Sequence, residues 1–130
     1  MNQILIVDDS PTIRRMVKAS LTDLSDGLEF VETGSGLEAI ERLATGTVEL
    51  MVLDLNMPDM HGLEVLGFVR GHQRYRRVPI IVLTTRGDDS SRTAALQAGA
   101  TAFMTKPFAP GALAAQARQL LDAATTSEAK

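Results

Sequence analysis

The apolar positions of this chain fall into short unbroken runs, separated by longer stretches in which apolar residues return every three or four places. Ile4 to Val7 is the first run; it is β-branched, too short for a helix, and stops at Asp8 and Asp9. It predicts a buried strand. Ser10 then offers an N-cap with Pro11 at the first helical position, and Ile13, Met16, Val17, Leu21 and Leu24 follow at helical spacing. The same unit recurs. Glu29 to Thr33 predicts a second strand, followed by a helix with Leu37, Ile40 and Leu43 inward and Gly46 at its end. Leu50 to Leu53 predicts a third strand closing on Asp54. After a loop containing Pro58 and Gly62 comes a helix carrying Leu63, Leu66 and Val69, terminated by Gly71. Ile80 to Leu83, entered through Pro79, is the most apolar strand. It leads through Thr84 and Thr85 to a helix capped by Asp88 or Asp89 and stopped by Gly99. Ala102 to Met104 is a short fifth strand. Pro110 opens a last helix with Leu113, Ala117, Leu120, Leu121 and Ala124 inward.

Strands without polar alternation, each followed by a helix, require a parallel sheet covered on both faces with right-handed crossovers. Five such units in 130 residues predict an α/β, flavodoxin-like (βα)5 three-layer sandwich with strand order 2-1-3-4-5. One folded unit is expected over residues 1–124, with 125–130 a flexible tail. Ligands of such sheets lie beyond the carboxyl ends of the strands where the order reverses, here between the first and third strands.

That edge is where the chemistry collects. Asp8, Asp9 and Asp54 end strands there, with Thr84 at the end of the fourth and Lys106 just after the fifth. Taken singly, an Asp after a strand is usually a turn or capping residue, Thr84 a cap and Lys106 a solvated charge. Together they are complementary. Two carboxylates about 4 Å apart repel by roughly 4 kcal/mol at an effective dielectric near 20, so three in one pocket call for a cation. Mg²⁺ fits an all-oxygen set that keeps room for waters and a phosphate, and no His or Cys cluster argues for zinc. With Lys106 and the Thr84 hydroxyl on phosphoryl oxygens, Asp54 is the expected nucleophile and an acyl phosphate the expected product.

Composition narrows the partners. The formal charge is −3 with no cysteine, so disulfides and thiolate chemistry are excluded and global attraction to nucleic acid or anionic lipid is absent. No signal peptide and no membrane-spanning run are seen, which makes the cytoplasm the default expectation. Arg70, His72, Arg74, Arg76 and Arg77, with Tyr75 among them, form a basic run at the opposite edge, and nucleic acid is not the expected partner there. Gly34 and Gly36 lack the spacing and Lys of a phosphate loop, and the six Met residues read as fillers. Arg14, Arg15 and Lys18 put positive charge on the first helix beside the acidic pocket.

The motifs Val7-Asp8-Asp9-Ser10 with Arg14-Arg15, Leu53-Asp54-Leu55-Asn56-Met57-Pro58-Asp59-Met60 leading to Gly62, Thr84, Gln97-Ala98-Gly99-Ala100 and Lys106-Pro107-Phe108 span nearly the whole chain. They resemble the response-regulator receiver family, most closely its small CheY-like chemotaxis members. The resemblance implies that Asp54 accepts a phosphoryl group from a histidine kinase. It also implies that Asp9, Asp54 and the Asn56 backbone carbonyl ligate Mg²⁺, with Asp8 acting through water and Lys106 on the phosphoryl group. It further implies a switch in which Thr84 moves toward the phosphoryl oxygen and Phe103 turns inward, changing the surface of strand four, helix four, strand five and helix five. Phe103 replaces the tyrosine of well-known members, His61 stands where an acid is common, Thr85 is larger than usual, and Asn56 and Arg86 occupy positions that tune dephosphorylation. The expected protein is a monomeric, stand-alone response regulator that catalyses only its own phosphorylation and dephosphorylation. Its expected partners are a histidine kinase or histidine phosphotransfer protein and an output protein such as a motor switch or another regulator, in chemotaxis or motility. The alternatives are a phosphorelay shuttle or phosphate sink, a receiver that is one part of a longer chain, and an aspartate-nucleophile phosphatase, against which Asn56 stands where that class has a second Asp.

Overall fold

Strand and helix alternate along the chain as the apolar pattern requires. The computed structural model describes residues 2–24, 27–85 and 87–128, with side chains through residue 123. In order these are β1 (Asn2–Val7), α1 (Pro11–Leu21) running into a 3₁₀ turn (Thr22–Leu24), β2 (Glu29–Thr33), α2 (Gly36–Thr45), β3 (Thr47–Leu53) and α3 (Gly62–Gly71). Then follow β4 (Ile80–Thr84), α4 (Asp89–Gln97), β5 (Ala102–Thr105) and α5 (Pro110–Glu128). All five strands are parallel, in the order β2-β1-β3-β4-β5. The last helix runs to Glu128, past the end of the apolar face that the pattern marks at Ala124.

Because successive strand residues point to opposite faces, each central strand feeds two cores. Leu5, Val7, Leu53 and Val82 pack with Ala39, Leu43, Val65, Leu66, Val69 and Ala95, which are contributed by α2, α3 and α4. Ile4, Ile6, Val52, Ile81 and Leu83 pack with Val17, Leu21, Leu113 and Ala117 from α1 and α5. This explains the absence of polar alternation: every residue of β4 is buried, since both sides are covered.

Two expected inner positions face outward. Leu37 is 56% exposed and Met16 43% exposed. A helix laid on a sheet buries a narrow stripe, which in α2 runs through Gly36, Ala39 and Leu43, and in α1 through Val17 and Leu21. Leu37 and Met16 each sit one residue off that stripe, about 100° round the helix.

The caps follow the sequence closely. Ser10 Oγ accepts from the Ile13 N–H, Ser35 Oγ from Glu38 and Asp88 from Ser91. His61, read as a loop residue, caps α3 by accepting the Leu63 N–H on Nδ1 at 3.1 Å. Gly99, after α4, has φ +111°, a conformation that favours glycine, and the Arg70 side chain passes where a Cβ would stand.

Candidate functional site

The backbone ladder itself delivers the acids to one edge. The Asp54 N–H donates to the Val7 carbonyl at 2.9 Å and the Asp8 N–H to the Thr33 carbonyl at 3.1 Å, so both residues are held where their strands end. Across the sheet, the Lys106 N–H donates to the Thr84 carbonyl at 2.9 Å. Asp8 is pinned further. Its Oδ1 accepts the Ser10 N–H at 2.9 Å, and its carbonyl accepts Arg14 Nη1 at 2.6 Å. Arg14 also pairs through Nε with Glu32 at 3.2 Å. Arg14 therefore braces the acidic turn, a role the sequence does not reveal.

Among the described residues, Asp8, Asp9 and Asp54 each place a carboxylate oxygen within 4.8 Å of the others. Asp8 and Asp54 are buried and Asp9 is exposed, which leaves the cluster open on one side. Lys106 Nζ lies 2.6 Å from Asp8 Oδ2 and 3.6 Å from Asp54 Oδ2. Burial pushes the Asp54 carboxyl above its usual range; Lys106 opposes the shift, neighbouring Asp8 adds to it, and hydrogen bonds from the Asn56 backbone and the Thr84 hydroxyl oppose it in part. Three carboxylates, one exposed, with a single lysine among them form an all-oxygen donor set with surplus negative charge. The residues fit a hard divalent cation.

The cleft over these acids has an apolar wall that no local sequence pattern marks. Ile13 and Met16 from α1 face Pro107 and Phe108 from the β5–α5 loop, with Asn56 and Thr85 completing the rim. Met16 lies off the core stripe of α1 and lines this wall instead. The Lys106–Pro107 peptide bond is cis. Phe103, half-buried on β5, packs against the α2–α4 core, and the Arg92 guanidinium of α4 stands 6.0 Å from its ring centroid. Arg86 lies outside the described residues.

The β3–α3 loop is tied down at both ends. At Gly62 a Cβ would come within 2.6 Å of the Asp54 carbonyl and the Leu55 Cα, so only glycine permits this close return of the chain. Upstream, Asp59 reaches across to α2 and accepts the Gly36 and Leu37 N–H groups, each at 3.1 Å. These backbone donors hold its carboxyl below the usual range, against a smaller opposing effect of desolvation. A depressed pKa means the contact stabilises the fold above the ordinary carboxylate range and is lost as pH falls through the folded value. Asp59→Ala should accordingly lower the thermal midpoint at neutral pH and speed hydrogen exchange at Gly36 and Leu37. It should have no such effect well below the ordinary carboxylate pKa. An unchanged exchange rate at those two amides would rule the clamp out.

A doubly covered parallel sheet with an acid cluster, a lysine and a buried threonine at its strand-order switch places the chain in the flavodoxin-like class. Within that class, residues 4–118 match the response regulator receiver domain, and the chain belongs to that family. It is 41% identical over 113 residues to chemotaxis protein CheY1 of Helicobacter pylori, covering 85% of this chain and 90% of that protein. It is 39% identical over 112 residues to a CheY homologue of Campylobacter jejuni, covering 85% of each. Among solved structures, chemotaxis response regulator CheY4 of Vibrio cholerae superposes with a TM-score of 0.82 at 33% identity, over 92% of this chain and 98% of that one. A CheY-like receiver domain protein of Methanospirillum hungatei gives 0.86 at 26% identity, over 98% of both. Receiver domains bind Mg²⁺ at an acidic pocket, and the carboxylates described above supply one. Among the described residues, no helix is long and apolar enough to cross a membrane.

Proposed function

We propose that this receiver domain is a phosphoacceptor switch in which Asp54 takes a phosphoryl group from a histidine kinase. The observation that carries the reading is the convergence of Asp8, Asp9, Asp54, Thr84 and Lys106 on one sheet edge. The Asp54 carboxylate attacks phosphorus, the bond from phosphorus to the donor imidazole nitrogen breaks, and that nitrogen keeps the bonding electrons and takes up a proton. Lys106 then moves its ion pair from Asp8 to a phosphoryl oxygen, and Thr84 turns its hydroxyl from the Asp54 carboxylate to another. Asp9, Asp54 and the Asn56 backbone carbonyl, with Asp8 beside them, would hold Mg²⁺, which would supply charge neutralisation for the acids and the phosphoryl oxygens.

Output follows from the relocation of Thr84. Phe103 turns into the space the hydroxyl leaves and reshapes the surface of β4, α4, β5 and α5. Driving such a two-state element from 1:99 to 99:1 takes about 5.5 kcal/mol, within reach of several charge-assisted bonds formed in one state only. The proposed output is in chemotaxis, through a motor switch or another regulator, because relatives that match most of their own length carry that name. Asn56 and Arg86 tune the loss of the phosphoryl group.

Beryllofluoride with Mg²⁺ mimics the acyl phosphate without a kinase. The expected result is a set of amide shifts at Thr84, Phe103 and along α4 that requires both components. Shifts confined to the acidic turn would remove the output half of the proposal, and no shift at all would remove the acceptor half. A kinase and a phosphotransfer protein mixed with the labelled chain then separate a terminal regulator from a relay shuttle by whether label moves onward.

A further inference from the structure

The amino edge of the sheet, far from the carboxylates, holds a further concentration of charge. Four of its 13 Lys and Arg residues fall between positions 70 and 77. They divide into two kinds. Arg70 is committed internally: Nε donates to the Gly99 carbonyl at 2.8 Å, and Nη1 to the carbonyls of Arg76 at 2.9 Å and Val78 at 2.7 Å. The loop is also knitted locally, with the Tyr75 and Arg76 N–H groups both donating to the His72 carbonyl. Arg74, Arg76 and Arg77 are exposed, and among the described residues none lies within ion-pair distance of a carboxylate. In an acidic chain, three unpaired guanidiniums on one pinned loop are a local reversal of sign. Next to them Phe68 is 37% exposed, its ring centroid 5.7 Å from that of His72.

We propose that this patch docks an acidic segment of a partner protein, its carboxylates on Arg74, Arg76 and Arg77 and an apolar residue on Phe68. Charge complementarity selects an anion, and Phe68 selects one with apolar groups. The ordering cost is low on the side of this chain, because Arg70 already holds the loop that carries the guanidiniums. Nucleic acid fits less well. Tyr75 is 8% exposed, with His72 stacked on it at 4.3 Å and Arg74 over its ring at 5.8 Å, so it has no free face for a base. A long polyanion would also meet the net negative charge of the rest of the chain, whereas a short segment meets only the patch. The surface is independent of Asp54 and of any phosphoryl chemistry.

The test uses the full chain, a synthetic peptide of Glu-Glu-Leu repeats, its Gln-Gln-Leu counterpart, and oligothymidylate of matched charge, followed by amide shifts at physiological salt. The expected result is saturable perturbation by the Glu peptide, centred on positions 68–78, with little from the Gln peptide. The combined Arg74→Gln, Arg76→Gln, Arg77→Gln variant should bind about tenfold more weakly. Phe68→Ser should weaken binding of the Glu-Glu-Leu peptide and leave that of an all-Glu peptide unchanged. Absence of perturbation at the patch, equal binding by the triple variant, or tighter binding of oligothymidylate than of the Glu peptide would each overturn the proposal.

Discussion

Asp54→Asn incubated with acetyl phosphate and Mg²⁺ should gain no phosphoryl mass, while the parent chain gains one. The loss is expected to be complete rather than partial, since an amide oxygen at that position lacks the negative charge that attacks phosphorus. Intact-mass spectrometry reads the result directly, and label retained by the variant would exclude Asp54 as the acceptor. The same substitution has a second consequence with a definite sign. Asp54 has its folded pKa raised, by burial first and by Asp8 second, so the folded state holds that proton more tightly than the unfolded chain does. Its ionised form therefore costs stability at neutral pH, and the cost disappears as pH falls below the ordinary carboxylate range. Asp54→Asn should raise the thermal midpoint at pH 7 in the absence of metal, with the gain vanishing near pH 3. A variant less stable than the parent at pH 7 would show that the Lys106 contact outweighs burial and repulsion.

The site was readable because the fold was. Uninterrupted apolar strands such as Ile80–Leu83 imply cover on both faces, that implies a parallel sheet, and a parallel sheet brings every strand-ending Asp to one edge. The chemistry follows from residue type at those ends. What stayed hidden depends on side chains that cross between elements. Asp59 clamps Gly36 and Leu37 across more than 20 positions, and Arg70 reaches Gly99 across 29. No local pattern marks either one, and Arg70 read as part of a uniform basic run until its hydrogen bonds separated it from Arg74, Arg76 and Arg77. The outward turn of Met16 and Leu37 escaped for a related reason: spacing shows that a helix is amphipathic but fixes the stripe only to within one residue. Arg14 belongs by sequence to the positive face of the first helix, yet its guanidinium holds the Asp8 carbonyl and Glu32.

Lys106→Met should have the largest effect on stability, because it removes the positive charge between two buried carboxylates. The lysine is 11% exposed and its Nζ contacts Asp8 at 2.6 Å and Asp54 at 3.6 Å. Breaking one side of a buried ion pair leaves the partner charge desolvated and uncompensated, at a cost of about 3 kcal/mol, and here the stranded acids also repel one another. Methionine keeps the length and the apolar contacts of the stem, so the loss reports charge rather than a cavity. The three carboxylates should then bind Mg²⁺ several-fold more tightly, since no ammonium competes for them. Saturating metal should accordingly restore much of the lost stability, as ligand at a hundred times its dissociation constant contributes about 2.7 kcal/mol. Phosphorylation would not recover with it: one missing charge-assisted donor to the transferring group slows transfer by about 10²-fold even when metal is saturating. Denaturant unfolding with and without Mg²⁺, set beside the rate of labelling by acetyl phosphate, separates the two roles. Full recovery of the labelling rate by metal would leave Lys106 with an electrostatic role in folding and none in phosphoryl transfer.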